Sequence, residues 1–160
     1  MKCGRIQMSV SILIVDDHEV VREGVRTIIS RARPQWEICG EAANGQEAID
    51  TAMRLRPDII LLDITMPVLS GLEAATRISG LGLTSRILIF TMHESAELAH
   101  DARRVGARGY VTKSDAARHL VRAIETLLSG GTFFGGPEKR ESGEKDPRSG
   151  ILFRLALGFA

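Results

Sequence analysis

The chain has 160 residues, 44% of them hydrophobic but only 4% aromatic, with a formal net charge of +1. That length suits one domain with short extensions and an aliphatic core. The near-neutral charge removes any electrostatic case for nucleic-acid or membrane-surface binding, and the two cysteines, Cys3 and Cys39, form neither a metal-type spacing nor a disulfide framework.

Residues 1–10 read as a loose N-terminal extension, with Met8 an alternative start to Met1. The apolar stretch after Lys2 and Arg5 is too short for a secretion signal, and no uncharged run approaches the ~20 residues that span a bilayer. A reducing, cytoplasmic setting is therefore expected. Ser11 to Val15 reads as a first strand ending in Asp16-Asp17. Val21, Val25, Ile28 and Ile29 then share one helical face, and Pro34 stops that helix. Residues 36–42 alternate weakly, as an edge strand does, with Trp36 and Cys39 packing groups. Asn44 is the expected N-cap of a second helix, with Glu47 three positions on. Its stripe is Ile49, Ala52 and Met53, and Pro57 closes it.

The third strand, Asp58 to Leu62, is apolar at every interior position, as when helices cover both faces, and it ends in Asp63. Gly71 opens a helix with Leu72, Ala75 and Ile78 inward, stopped by Gly80 and Gly82. The fourth strand, Arg86 to Phe90, ends in Thr91. Ser95 then caps a helix whose stripe, Ala96, Ala99, Ala102 and Val105, is nearly all alanine and so buries little. Gly109 to Thr112 forms a fifth strand ending in Lys113. Ser114-Asp115 is expected to cap the last helix, which carries Leu120, Ile124, Leu127 and Leu128 and stops at Gly130-Gly131. Residues 131–160 read as a linker and short tail with no effector domain.

Five strand–helix repeats require crossover connections and hence a parallel sheet. The expected fold is α/β: a flavodoxin-like, doubly wound five-stranded parallel sheet over residues 11–130, in the order 2-1-3-4-5, with helices on both faces. In that order Asp16, Asp17, Asp63, Thr91 and Lys113 gather at the carboxyl edge, where open α/β sheets bind ligands. Carboxylates so close repel unless a cation or a shared proton offsets them. A small hard cation that keeps several waters, Mg²⁺ (or Mn²⁺), suits the set. An Asp beside such an ion, a lysine and a hydroxyl is equipped to become an aspartyl phosphate.

Taken singly, Asp16-Asp17 would be a helix cap, Asp63 a turn residue, Thr91 a strand end and Lys113 a solvated cation. Their joint placement at four strand ends outweighs those readings. His18 and His93 lie near the site and read as rim residues sooner than as a ligand or proton relay, and Met92 as a packing group or a screen at the site.

With those motifs in order, the chain resembles the receiver (CheY-like) domain of bacterial response regulators. The wording of residues 15–19, 91–94 and 109–113 is most similar to the NarL/FixJ (LuxR-type) branch. The resemblance implies that Asp63 is the phospho-acceptor, with Thr91 and Lys113 assisting. It also implies that Asp17 is a direct metal ligand, that Asp16 acts through bound water, and that the Thr65 backbone carbonyl completes the metal shell. Thr91 and Tyr110 would be the switch pair. Lys113 would pair with Asp63 before phosphorylation and with the phosphoryl oxygens after it.

The partner implied is a sensor histidine kinase, with a phosphorylation-linked homodimer. Complete relatives bind DNA through a helix-turn-helix domain; residues 137–160 show neither its length nor its periodicity, so no direct DNA binding is expected of this chain. A stand-alone receiver acting by protein contacts is the alternative. A haloacid-dehalogenase-type phosphatase would want a second Asp where Thr65 stands. A flavodoxin would want a hydroxyl-rich loop where Asp16-Asp17 stand.

Overall fold

Strand alternation builds the core. The computed structural model describes residues 9–134, so the readings made for Cys3, for the start at Met1 or Met8 and for residues 135–160 lie outside the described residues. In β1 (Ser11–Val15), β3 (Ile59–Leu62) and β4 (Arg86–Thr91), successive side chains point to opposite faces, and every interior one is buried. Leu13, Val15, Ile60, Leu62, Ile87 and Ile89 enter one cluster. Ile12, Ile14, Ile59, Leu61, Leu88 and Phe90 enter the other. Each such side chain contributes about 1.5–3 kcal/mol through its burial.

Two helix layers close these clusters. On the first face lie α2 (Gly45–Leu55), α3 (Gly71–Ser79) and α4 (Ala96–Arg104), through Ala48, Ala52, Ala74, Ala75, Ile78 and Ala102. On the second lie α1 (Glu19–Ala32) and α5 (Ala116–Leu128), through Val25, Ile29, Leu120, Ile124 and Leu127. Asn44 does cap α2, accepting from the Glu47 N–H at 2.9 Å, and the Glu47 carboxylate returns to the Ala43 N–H. Ser70 and Glu73 form a full capping box on α3. The alanine stripe of α4 behaves as its composition implies: Ala102 is its one buried residue. No described helix is long and apolar enough to cross a membrane.

Three expectations need correcting. The sheet has six parallel strands in the order β2-β1-β3-β4-β5-β6, with β2 at Glu37–Ala42 and β5 at Gly109–Thr112. The sixth, β6 (Phe133–Phe134), pairs with Gly109 and Tyr110 inside what reads as linker. It can do so because Gly109 lacks a side chain: a Cβ there would lie 2.3 Å from the Phe133 carbonyl oxygen. Second, Asp115 makes no side-chain cap to α5. Lys113–Asp115 forms a 3₁₀ turn, and the Asp115 carboxylate instead accepts from the Thr112 hydroxyl at 2.9 Å. Third, Met53 is exposed, because Thr51 and Ala52, with Ala48 and Ile49 one turn earlier, already fill the inner face of α2.

One backbone feature lies next to the carboxyl edge. Val68 has φ 71° between Pro67 and Leu69, whose N–H reaches the Pro67 carbonyl at 2.8 Å. A β-branched residue in this left-handed γ-turn is strained.

Candidate functional site

The parallel ladders deliver the acidic groups. The Asp16 N–H donates to the Ala42 carbonyl at 3.0 Å and the Asp63 N–H to the Val15 carbonyl at 2.9 Å. These two bonds continue the β1–β2 and β1–β3 pairings by one residue, so both carboxylates leave adjacent strands at the same height. Thr91 and Thr112 are register partners at the ends of β4 and β5, and Lys113 follows directly.

The structure brings Asp16, Asp17, Asp63 and Lys113 together. Lys113 Nζ lies 2.7 Å from Asp16 Oδ2 and 3.4 Å from Asp63 Oδ1. The ammonium is therefore shared, and is closer to Asp16. Asp16 Oδ2 is buried and, despite that short ionic contact, has no hydrogen bond of proper direction. Asp63 is 4% exposed, and its Oδ1 also accepts from the Ile64 N–H at 2.8 Å. Burial pushes the Asp63 carboxyl above the ordinary carboxylate range, the Asp16 charge adds to that, and Lys113 opposes it.

That shift has a consequence for stability. A carboxyl whose pKa is raised by folding stabilises the fold below its unfolded value, about 3.9, and loses that contribution as pH rises through the folded value. With EDTA present, the melting temperature should carry a component that falls across that interval, and added Mg²⁺ should restore it at neutral pH. Calorimetric scans at stepped pH, with and without the ion, check this.

The donors suit the cation expected from the sequence. Asp16, Asp17, His18 and Asp63 each present one ligand atom, all within 4.8 Å of one another. A buried carboxylate oxygen without a directed hydrogen bond, among three acids and one lysine, is what a hard divalent ion would complete.

The remaining predicted residues fall around this cluster. The Thr91 side chain is buried, its hydroxyl accepting from the His93 N–H at 3.3 Å. Tyr110 is buried, and its hydroxyl donates to Glu94 at 3.3 Å. Burial and the Glu94 charge push the Tyr110 phenol up. Thr65 is exposed in the loop after Asp63. His93 and Met92 are exposed on the rim, and Cys39 is half-buried, its thiol pointing to the Ile12 carbonyl at 3.4 Å.

Three further contacts surround the acids. His18 Nδ1 lies 3.2 Å from Asp16 Oδ1 and 3.0 Å from Asp17 Oδ1. Arg22 Nη1 donates to the Asp16 carbonyl at 2.7 Å, while its Nε faces Glu41 at 3.4 Å. Glu94 receives the Tyr110 hydroxyl. From the first turn of α1, Arg22 reaches Asp16 and, on β2, Glu41, and no local spacing signals either contact. Nothing in the local sequence pairs Glu94 with Tyr110.

With this geometry in place, the comparisons are specific. The profile of the response regulator receiver domain matches residues 12–125. The nitrate/nitrite response regulator protein NarL of Escherichia coli (strain K12) is 37% identical over 124 residues, covering 78% of this chain and 57% of that protein. The transcriptional regulatory protein YdfI of Bacillus subtilis (strain 168) is 40% identical over 119 residues, covering 74% and 55%. The chain thus spans a little over half the length of these relatives. Among solved structures, a two-component response regulator of the LuxR family from Aurantimonas sp. SI85-9A1 superposes with a TM-score of 0.74. It is 43% identical, covering 78% of this chain and 89% of that one. The receiver domain of the NarL protein from Mycobacterium tuberculosis gives 0.72 at 29% identity, covering 76% and 98%.

Proposed function

Since the chain belongs to the response regulator receiver domain family, we propose that Asp63 accepts a phosphoryl group from a phosphohistidine of a sensor histidine kinase. The observation that carries this reading is the position of Asp63: a buried carboxylate sharing one ammonium with Asp16 at the end of a central strand. A carboxylate oxygen attacks phosphorus, the P–N bond breaks, and an acyl phosphate forms. Oδ1 is engaged by Ile64 and Lys113, which leaves Oδ2 as the attacking oxygen.

Asp16, Asp17, Asp63 and the Thr65 carbonyl are the groups that would hold Mg²⁺ (or Mn²⁺). The ion would supply neutralisation of the charge spread over the transferring oxygens. Lys113 is positioned to move from its two carboxylates onto a phosphoryl oxygen. The Thr91 hydroxyl can exchange the His93 N–H for that group, drawing the start of the lightly packed α4 with it. Tyr110, tied to Glu94 just ahead of α4, transmits the change. The protein acts as a signalling switch, not as a turnover catalyst.

Residues 11–130 form the receiver, flanked by the 1–10 extension and by a linker whose first residues add β6. Output through transcription, as the names of the relatives describe for them, would need sequence beyond this receiver. A phosphorylation-linked homodimer is part of the proposal, and direct DNA binding by this chain is not.

The test is phosphoryl transfer itself. Incubation with acetyl phosphate and Mg²⁺ should add one phosphoryl group, labile to base and to hydroxylamine, seen by intact-protein mass spectrometry. EDTA should reduce labelling to background. Label that is indifferent to EDTA, or stable in base, would contradict the assignment.

A further inference from the structure

His18 has no structural task that explains where its ring lies. It occupies the N-cap position of α1, yet its side chain makes no capping hydrogen bond. Its side chain is two-thirds exposed, so packing does not hold it either. Nevertheless Nδ1 is turned inward, 3.0 Å from Asp17 Oδ1 and 3.2 Å from Asp16 Oδ1. The Asp16 carboxylate also takes the His18 N–H at 2.9 Å, which fixes the ring's root against the acids. The second oxygen of Asp16 is buried and faces the Lys113 ammonium at 2.7 Å, which leaves the first to His18.

These spacings have a coordination meaning. Adjacent ligands on an octahedral ion with bonds of about 2.1 Å lie about 3 Å apart. Nδ1 stands at that edge length from two carboxylate oxygens on different residues. Without an ion, Nδ1–H can donate to both acids; with one, the other tautomer turns its lone pair to the same point. An imidazole nitrogen favours borderline first-row ions, whereas Mg²⁺ prefers oxygen and water.

Resting on the proposed cation site, we propose that His18 supplies a nitrogen ligand through Nδ1 and tilts that site toward Mn²⁺, Co²⁺ or Ni²⁺ relative to Mg²⁺. Asp16, Asp17 and Asp63 alone would form an all-oxygen site. With His18, three of the ligands come from one short turn, residues 16–18.

The experiment compares the wild-type chain with His18→Phe, which keeps a ring without a nitrogen, and His18→Ala. Calorimetric titrations with Mg²⁺, Mn²⁺ and Ni²⁺ give the affinity ratios, and pulsed paramagnetic resonance of bound Mn²⁺ looks for coupling to a nitrogen nucleus. The ratio of Ni²⁺ to Mg²⁺ affinity should fall about tenfold or more in both variants. Nitrogen coupling should be present in the wild type and absent from both variants. Ratios unchanged by either substitution, or wild-type Mn²⁺ without nitrogen coupling, would overturn the role of His18 while leaving the cation site intact. A wild type that binds none of the three ions would sink the site itself.

Discussion

Asp63→Asn should reduce phosphoryl incorporation from acetyl phosphate to background and, in the absence of divalent ions, raise the melting temperature at neutral pH. The first effect follows from chemistry. A carboxamide is too poor a nucleophile to form an acyl phosphate, and the other buried carboxylate on the shared ammonium, Asp16, has one oxygen on the His18 N–H and the other on Lys113. The second follows from electrostatics. Asp63 is disfavoured as an anion by burial and by Asp16, so the wild-type fold carries a charge it would rather not hold. Asparagine keeps the shape and an oxygen for the Ile64 N–H, while Lys113 is left to Asp16 alone. The stability difference should grow as pH rises through the Asp63 titration and vanish in acid, where both side chains are neutral. Mass spectrometry and paired denaturation scans read the two effects on the same samples. A variant that keeps its label would move the acceptor elsewhere. One that loses label and melts earlier at neutral pH would show that the Asp63 charge supports the fold.

The opposed effects of that substitution explain why this part of the molecule was legible in the sequence. Apolar runs that end abruptly in Asp16-Asp17, Asp63, Thr91 and Lys113 are costly as packing and make sense as a gathered site, so strand ends carried the information. Periodicity placed α1 to α5 because each helix has one buried face, and it found the sparse contact of α4 in its alanines. It failed where structure depends on contacts distant in sequence or on too few residues. β6 is two residues long and follows a Gly-Gly stop, so no pattern could declare it; it exists because Gly109 leaves room for Phe133. Asp115 looks like a cap to its neighbours, but the Thr112 hydroxyl claims it. The division of Lys113 between Asp16 and Asp63, at 2.7 and 3.4 Å, depends on how strands β1, β3 and β5 converge, which spacing does not encode. His18 lay beside the acids in plain view, but its inward turn is a rotamer, and rotamers are not written in sequence order.

Gly71→Ala should damage the fold and the site together, and more than the loss of one glycine suggests. A Cβ at position 71 would lie 1.9 Å from the Asp63 carbonyl oxygen, 2.8 Å from the Asp63 carbonyl carbon and 2.8 Å from Ile64 Cα. All three obstacles are backbone, so no side chain can swing away; either α3 retreats or the Asp63–Ile64 peptide moves. The close approach is also bonded, because the Gly71 N–H donates to the Ile64 carbonyl at 2.8 Å. The far end of the loop is held in turn by the Gly45 N–H on the Leu69 carbonyl at 3.1 Å, so the strain cannot be passed along it. Overpacking of this kind costs on the order of 3 kcal/mol, read as a lower urea midpoint. Because the displaced peptide carries the Asp63 side chain and the N–H that orients it, a shift near 1 Å should slow labelling by about a hundredfold. Gly24→Ala is the matched control. That glycine lies within α1 with nothing near its missing Cβ, so alanine should stabilise by about 0.5–1 kcal/mol and leave labelling unchanged. If both alanines behaved alike, the glycine after the acceptor loop would be a matter of helix propensity. The predicted opposition in sign identifies it instead as the space that lets α3 close over the Asp63 peptide and aim the carboxylate.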